Sequence, residues 1–217
     1  MSRKYKFLNK SGLYFISFAT VYWIDVFTRQ EYFSILEHSI DYCRNEKGME
    51  VIAYCFMPSH VHLIFRSCND DPSGLLRDLK GFTSRKLIQT IIDHPRESRK
   101  EWMLCMFEKA GRKNSNVSKR QFWQQNNHPI ELWSEKVILQ KINYIHNNPV
   151  LAGFVTNSVG WKYSSAKNYQ GDETVLEIDN EGIDLKAIYI KNSWYEQYAR
   201  TCNRDKKPRS FDHRNNL

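Results

Sequence analysis

Residues 48–66, GMEVIAYCFMPSHVHLIFR, hold two runs of apolar and β-branched residues separated only by Pro58 and Ser59. No other stretch constrains the fold as tightly. A strand over 48–59, broken by Pro58, followed at once by a strand over 60–66, is the signature of an antiparallel hairpin. Side chains alternate along a strand, so His60 and His62 share one face while Val61, Leu63 and Phe65 point the other way. Two imidazoles on one sheet face are either a clamp for a metal ion or two hydrogen-bonded polar residues. The pair alone does not choose.

The flanking segments place this hairpin in a larger sheet. Residues 13–23, LYFISFATVYW, are rich in aromatic and β-branched types and read as a strand. Phe33, Leu36, Ile40 and Cys43 recur every three or four residues and predict a helix over 29–45. A second helix is predicted over 71–93, with Asp71 as cap, Pro72 in the first turn, and Leu75, Leu79, Phe82 and Leu87 as its apolar stripe. Residues 121–132 have room for a short strand. The stretch 111–120 carries four basic residues and no acid, and reads as a mobile basic loop. The order strand, helix, strand, strand, helix, strand, helix points to an α+β fold, a ferredoxin-like βαββαβ antiparallel sheet with helices on one face. Residues 1–170 form the domain on this reading, and 171–217 form a C-terminal extension whose tail is expected to be disordered.

Charge narrows the partners. Thirty-two Lys and Arg against 24 Asp and Glu give a formal net charge of +8, which favours polyanions such as nucleic acid. The five cysteines form no CxxC pair and are odd in number, against both a disulfide framework and a cysteine-built zinc site. No window approaches the roughly 20 apolar residues of a membrane helix, and no secretory signal is evident, so a cytoplasmic protein without membrane contact is expected.

The segment 134–147, SEKVILQKINYIHN, reads as a third amphipathic helix, capped by Ser134 and stopped by Pro149. At about 100° per residue, Ile138, Ile142 and Ile145 define its core stripe. His146 falls beside that stripe and reads as a buried, hydrogen-bonded structural histidine. Tyr144 falls on the polar side with Lys141 and Asn148. On such a face a tyrosine is ordinarily an amphipathic surface residue, and an asparagine before proline is ordinarily a helix-terminal cap.

MPSHVHLIF, then INYIHNNPVLAGFV, then WKYSSAKNY, in that order, resemble the REP-associated tyrosine transposases, single-tyrosine members of the HUH nucleases (histidine, hydrophobic residue, histidine). The resemblance implies that His60 and His62 are metal ligands, that Tyr144 is the nucleophile, and that Asn148 is the third ligand. The family's usual asparagine before the first histidine is Ser59 here. Related insertion-sequence enzymes carry glutamine at the four-on position, so Asn148 is the shorter-reaching ligand. The family's chemistry is metal-dependent nicking and rejoining of single-stranded DNA at extragenic palindromic hairpins, through a 5′-phosphotyrosine. Its members include monomers and homodimers.

Two imidazoles and an amide oxygen make a neutral, incomplete shell that suits Mg²⁺ or Mn²⁺ acting on a phosphate. One helical turn separates Tyr144 from Asn148, which places both on one face. Arg77, Lys80, Arg85 and Lys86 of the second helix, with Lys141 beside the tyrosine, are the expected contacts to the backbone of single-stranded or hairpin DNA. Two rival readings stay open on sequence: a metal-dependent phosphodiesterase that activates water and does not need Tyr144, and a non-catalytic nucleic-acid-binding module.

Overall fold

The computed structural model describes residues 6–115, 119–125 and 127–179. Strand β1 (Tyr14–Ala19) leads through a 3-10 turn (Val21–Trp23) into α1 (Gln30–Lys47). Strands β2 (Met49–Phe56) and β3 (His60–Ser67) follow, then α2 (Pro72–Asp93), α3 (Lys100–Gly111), β4 (Ile130–Glu131), α4 (Glu135–Leu151) and α5 (Ala166–Gln170). The strands form one antiparallel sheet in the order β2-β3-β1-β4. This is the α+β architecture that the element order predicts.

The hairpin closes where the proline predicts. Pro58 and Ser59 are the centre of a four-residue turn in which Met57 N donates to His60 O at 2.8 Å. Proline sets φ for the first central position of such a turn. Strand β2 therefore ends at Phe56 and β3 opens on His60.

Alternation divides the sheet into two faces. Ile16 and Phe18 of β1, Tyr54 and Phe56 of β2, and Val61, Leu63 and Phe65 of β3 join the apolar stripes of α1 and α2 in the main core. Those two helices cover one face, but the expectation of helices on one face alone is corrected by α4, which packs on the other. On the other face Phe15, Ala53, Cys55 and Ile64 are buried, as are Ile142 and Ile145 of α4. Helix α4 therefore adds a second, smaller core on the histidine side of the sheet.

Several local expectations are corrected. β1 stops at Ala19: Thr20 N still bonds Ser59 O in the β1–β3 register, but its hydroxyl turns to Ile24 O and the chain enters the 3-10 turn at Val21. Phe82 is exposed, and the buried stripe of α2 runs instead through Leu75, Leu76, Leu79, Thr83, Leu87 and Ile91. The charged stretch after His94 contains α3, which buries Met103 and Phe107. Pro149 does not stop α4, which continues to Leu151. Pro149 is itself buried, so packing offsets its missing N–H. The caps behave as predicted: Asp71 accepts from Gly74 N at 2.8 Å, and Ser134 accepts from Val137 N at 3.4 Å.

Past Gln170 the chain stays on the sheet. Leu176 enters the main core, and Asp179 accepts from Arg44 and from Val51 N. Residues 116–118 of the basic stretch and the C-terminal tail expected to be disordered lie outside the described residues. No helix among the described residues is long and apolar enough to cross a membrane.

Candidate metal and nucleophile site

The β1–β3 register sets His60 opposite Ala19 and His62 opposite Ser17. Both rings therefore lie on the face that α4 covers, 4.8 Å apart between centroids. His60 is partly exposed and its Nε2 lies 3.3 Å from Asn148 Oδ1, while Ser59 Oγ lies 3.2 Å from its Nδ1. His62 is 3% exposed and stacks on Phe15 at 5.8 Å. Burial lowers the pKa of both rings, and that of His62, which also feels His60 and Lys141, falls to about 3. Both are neutral at physiological pH, the form in which imidazole ligates metal.

Helix α4 supplies the other half. The Tyr144 ring stands edge-on to His62 at 5.3 Å and to Phe15 at 5.9 Å, and Tyr144 is 44% exposed. Lys141 Nζ lies 4.8 Å from the Phe15 ring and 5.5 Å from the Tyr144 ring. Because α4 runs through Pro149, Asn148 keeps its place one turn beyond Tyr144 on the same face. Tyr144, His60, His62 and Asn148 thus meet within one chain.

The donor set fits a divalent cation. Both ring nitrogens of His62 are buried without a hydrogen-bond partner, an arrangement that costs about 1–3 kcal/mol per group unless something binds there. Adjacent ligands of one cation sit about 3 Å apart, close to the His60–Asn148 separation. Among the described residues no three His, Cys, Asp or Glu side chains gather as a metal site; beside the two histidines the group available as a third donor would be the Asn148 amide.

The basic residues proposed for DNA divide by position. Lys141 stands at the site. Arg85 and Lys86 are exposed, and with Arg77 they line a groove of about 770 Å³ between α1 and α2, on the opposite side of the sheet. Arg77 is paired with Asp78 at 3.1 Å. Lys80 is spoken for: its ammonium donates to Gln124 O at 2.9 Å and to Asn127, and burial lowers its pKa to about 8.

Two residues beside the histidines were not singled out by sequence. The Trp23 ring lies edge-on to His60 at 5.4 Å, and the Asp25 carboxylate is close enough to raise the His60 pKa against the larger effect of burial. Both follow β1 immediately, and a strand read through to residue 23 hid the turn that presents them.

Comparison with known proteins identifies the family. A Haemophilus influenzae protein described as a REP-associated tyrosine transposase is 30% identical over 178 residues, spanning 76% of this chain and 85% of the relative. This chain belongs to the REP-associated tyrosine transposases. It is therefore an enzyme of a DNA-transposing family. The family model described as "Transposase IS200 like" matches residues 11–110, a span that takes in the histidine strand and stops before Tyr144. A solved structure of a REP-associated tyrosine transposase bound to a REP hairpin superposes with a TM-score of 0.56 at 20% identity, covering 82% of this chain and 92% of that one. That likeness bears on the fold, and it agrees with the four-stranded α+β sheet.

Proposed function

We propose that this REP-associated tyrosine transposase is a divalent-metal-dependent endonuclease and strand transferase. It acts on single-stranded DNA at a hairpin, through a 5′-phosphotyrosine on Tyr144. The observation that carries the reading is the meeting of an exposed phenol with two neutral histidines and an amide on one surface. The hairpin-bound relative supports hairpin DNA as the substrate class.

His60, His62 and Asn148 would hold a Mg²⁺ or Mn²⁺ ion, which when bound supplies Lewis-acid polarisation of the scissile phosphate. The Tyr144 oxygen attacks phosphorus and its proton passes to solvent; the P–O3′ bond breaks, and the departing 3′ oxygen takes up a proton from solvent to leave as a hydroxyl. The phosphodiester energy stays in the Tyr144–phosphate bond, ready for a second 3′-hydroxyl to displace the phenol in strand transfer. Lys141, beside the phenol, holds the phosphate and faces its negative charge. Phe15 and His62 fix the plane of the Tyr144 ring, so the nucleophile is aimed before DNA arrives. The meeting of these groups within one chain supports a tyrosine that acts in cis.

The test is nicking of a hairpin oligonucleotide with a single-stranded flank, with and without Mg²⁺ or Mn²⁺, followed by denaturing electrophoresis. A metal-dependent nick with a protein–DNA adduct mapped to the Tyr144 peptide is expected. Nicking that survives Tyr144→Phe at the wild-type rate would identify a water-activating phosphodiesterase instead.

A further inference from the structure

Immediately after β1 the backbone does something costly. Tyr22 and Trp23 both have φ of +56°, a region that bulky L-residues rarely occupy and that costs about 1–3 kcal/mol per residue. Surrounding bonds over-determine the turn. Thr20 N and Oγ1 donate to Ser59 O, and Thr20 Oγ1 also donates to Ile24 O. Gln124 Nε2 donates to Thr20 O, Val21 N to Phe122 O, and Trp23 N to Thr20 O. Ser59 directly precedes His60, so the turn is fastened to the histidine strand itself.

The strain does not bury the aromatic rings. Tyr22 is 42% exposed and Trp23 is 58% exposed, although a buried core lies beside them. What the turn achieves is position. The Trp23 ring stands at the His60 end of a row in which neighbouring centroids are separated by 5.4 Å (Trp23–His60), 4.8 Å (His60–His62) and 5.3 Å (His62–Tyr144). Tyr144 closes the His62 end. A solvent-facing indole one ring away from a phosphate-handling site has the chemistry of a base platform, since nucleobases of single strands stack on aromatic side chains without needing a particular sequence.

We propose that Trp23 stacks a nucleobase of the single-stranded flank, within about two nucleotides of the scissile phosphate, and so fixes the register of the strand over Tyr144. This rests on the nuclease reading above and adds a substrate-contacting residue to it. Stacking contributes to placing the phosphate. Its loss therefore lowers both affinity and cleavage rate, while the metal ligands and the nucleophile stay intact.

The experiment uses the full chain carrying Tyr144→Phe, which cannot cleave, and hairpin oligonucleotides with 2-aminopurine walked through the single-stranded flank. At one position the fluorescence should fall several-fold on binding. Trp23→Asn keeps a residue that tolerates positive φ and removes the ring. It should abolish that quenching and weaken binding about ten- to a hundredfold, with an unchanged thermal midpoint. Trp23→Phe should restore most of both. An abasic site at the quenched position should cost the wild type as much as Trp23→Asn does, and the two together should cost no more than either.

Absence of quenching at every position, or losses from Trp23→Asn and the abasic site that multiply, overturns the stacking role. If the wild type still nicks the hairpin in that case, the nuclease reading stands and only the role of Trp23 falls. If the wild type neither nicks nor binds single-stranded hairpin DNA, both fall.

Discussion

The layer between α4 and the sheet has two regions, and each holds a buried histidine. His62 and His146 are 3% and 1% exposed, and burial lowers both rings to a pKa of about 3. By burial and charge state they are twins. Their neighbours separate them. His146 Nε2 lies 2.8 Å from Ser165 Oγ, and that hydroxyl also accepts from Tyr54 N at 2.9 Å, so the ring ties α4 to β2. His62 has no partner on either nitrogen and looks across Phe15 at an exposed phenol. A perturbed pKa marks a buried histidine; the unsatisfied valence marks a functional one.

The comparison breaks most sharply in the chemistry. Tyr144→Phe and His62→Phe should each lower metal-dependent nicking by about a thousandfold or more, the usual consequence of losing a nucleophile or a metal ligand. Neither should lower stability. Tyr144→Phe removes one exposed oxygen, and His62→Phe replaces two unpartnered buried nitrogens with apolar ring atoms of similar shape, which is neutral or stabilising. A His62→Phe protein that melts well below the wild type would place a structural partner on that ring and dissolve the distinction.

His146→Ala should behave in the opposite way. Removing a buried ring leaves a cavity and a Ser165 hydroxyl short of one partner, a cost of about 2–4 kcal/mol. Denaturant midpoints should fall accordingly, while nicking per folded molecule stays near the wild-type level. Loss of nicking at full stability would place His146 in the active site.

A third buried titratable group sharpens the rule by inverting it. Glu97 is 5% exposed, yet its pKa is held down to about 2. Burial pushes it up, but Arg99, Arg29 and the Tyr32 hydroxyl, all bonded to its carboxylate, outweigh burial. The folded pKa lies below the unfolded one, so Glu97 adds stability that is complete above about pH 4.5 and lost as pH falls toward 2, on the order of 3 kcal/mol in all. Glu97→Gln should therefore be less stable than the wild type at neutral pH, and the gap should close across that acid window. A gap independent of pH would show that the charge of Glu97 is not what the two arginines hold.

These contrasts also explain how much was legible in the sequence. The hairpin, the shared face of His60 and His62, the two caps and the burial of His146 all follow from periodicity and turn chemistry, which act locally. The positions that misled were those where distant contacts overrule local preference. Pro149 looks like a stop but is carried inside α4 by its own burial. Phe82 fits the apolar period of α2 yet stands 51% exposed, because Thr83 takes the inward place and accepts the Trp123 indole N–H at 3.0 Å. Trp23 reads as strand because nothing local announces a positive φ in a turn that Thr20 and Val21 fasten to Ser59 O and Phe122 O.

The basic residues offer the smallest effect and a second pair of near-twins. Lys80 and Lys141 each sit over an aromatic ring, at 5.3 Å from Phe18 and 4.8 Å from Phe15. The Lys80 ammonium already bonds Gln124 O and Asn127, so it holds the segment after Trp123 against α2 and has little left for a phosphate. Lys141 stands over the Tyr144 ring on the reactive face. Lys141→Met keeps the stem that packs on Phe15 and removes only the charge. It should slow nicking by about three- to tenfold, reduce the salt dependence of hairpin binding by roughly one counterion, and leave the melting curve unmoved. Lys80→Met should cost about 1 kcal/mol of stability, since it leaves the part-buried Gln124 carbonyl and Asn127 amide oxygen short of a donor, with the salt slope unchanged. Equal salt slopes for Lys141→Met and the wild type would remove Lys141 from the DNA contact surface. A reduced slope for Lys80→Met would mean that its loop opens on binding and releases the charge to the strand.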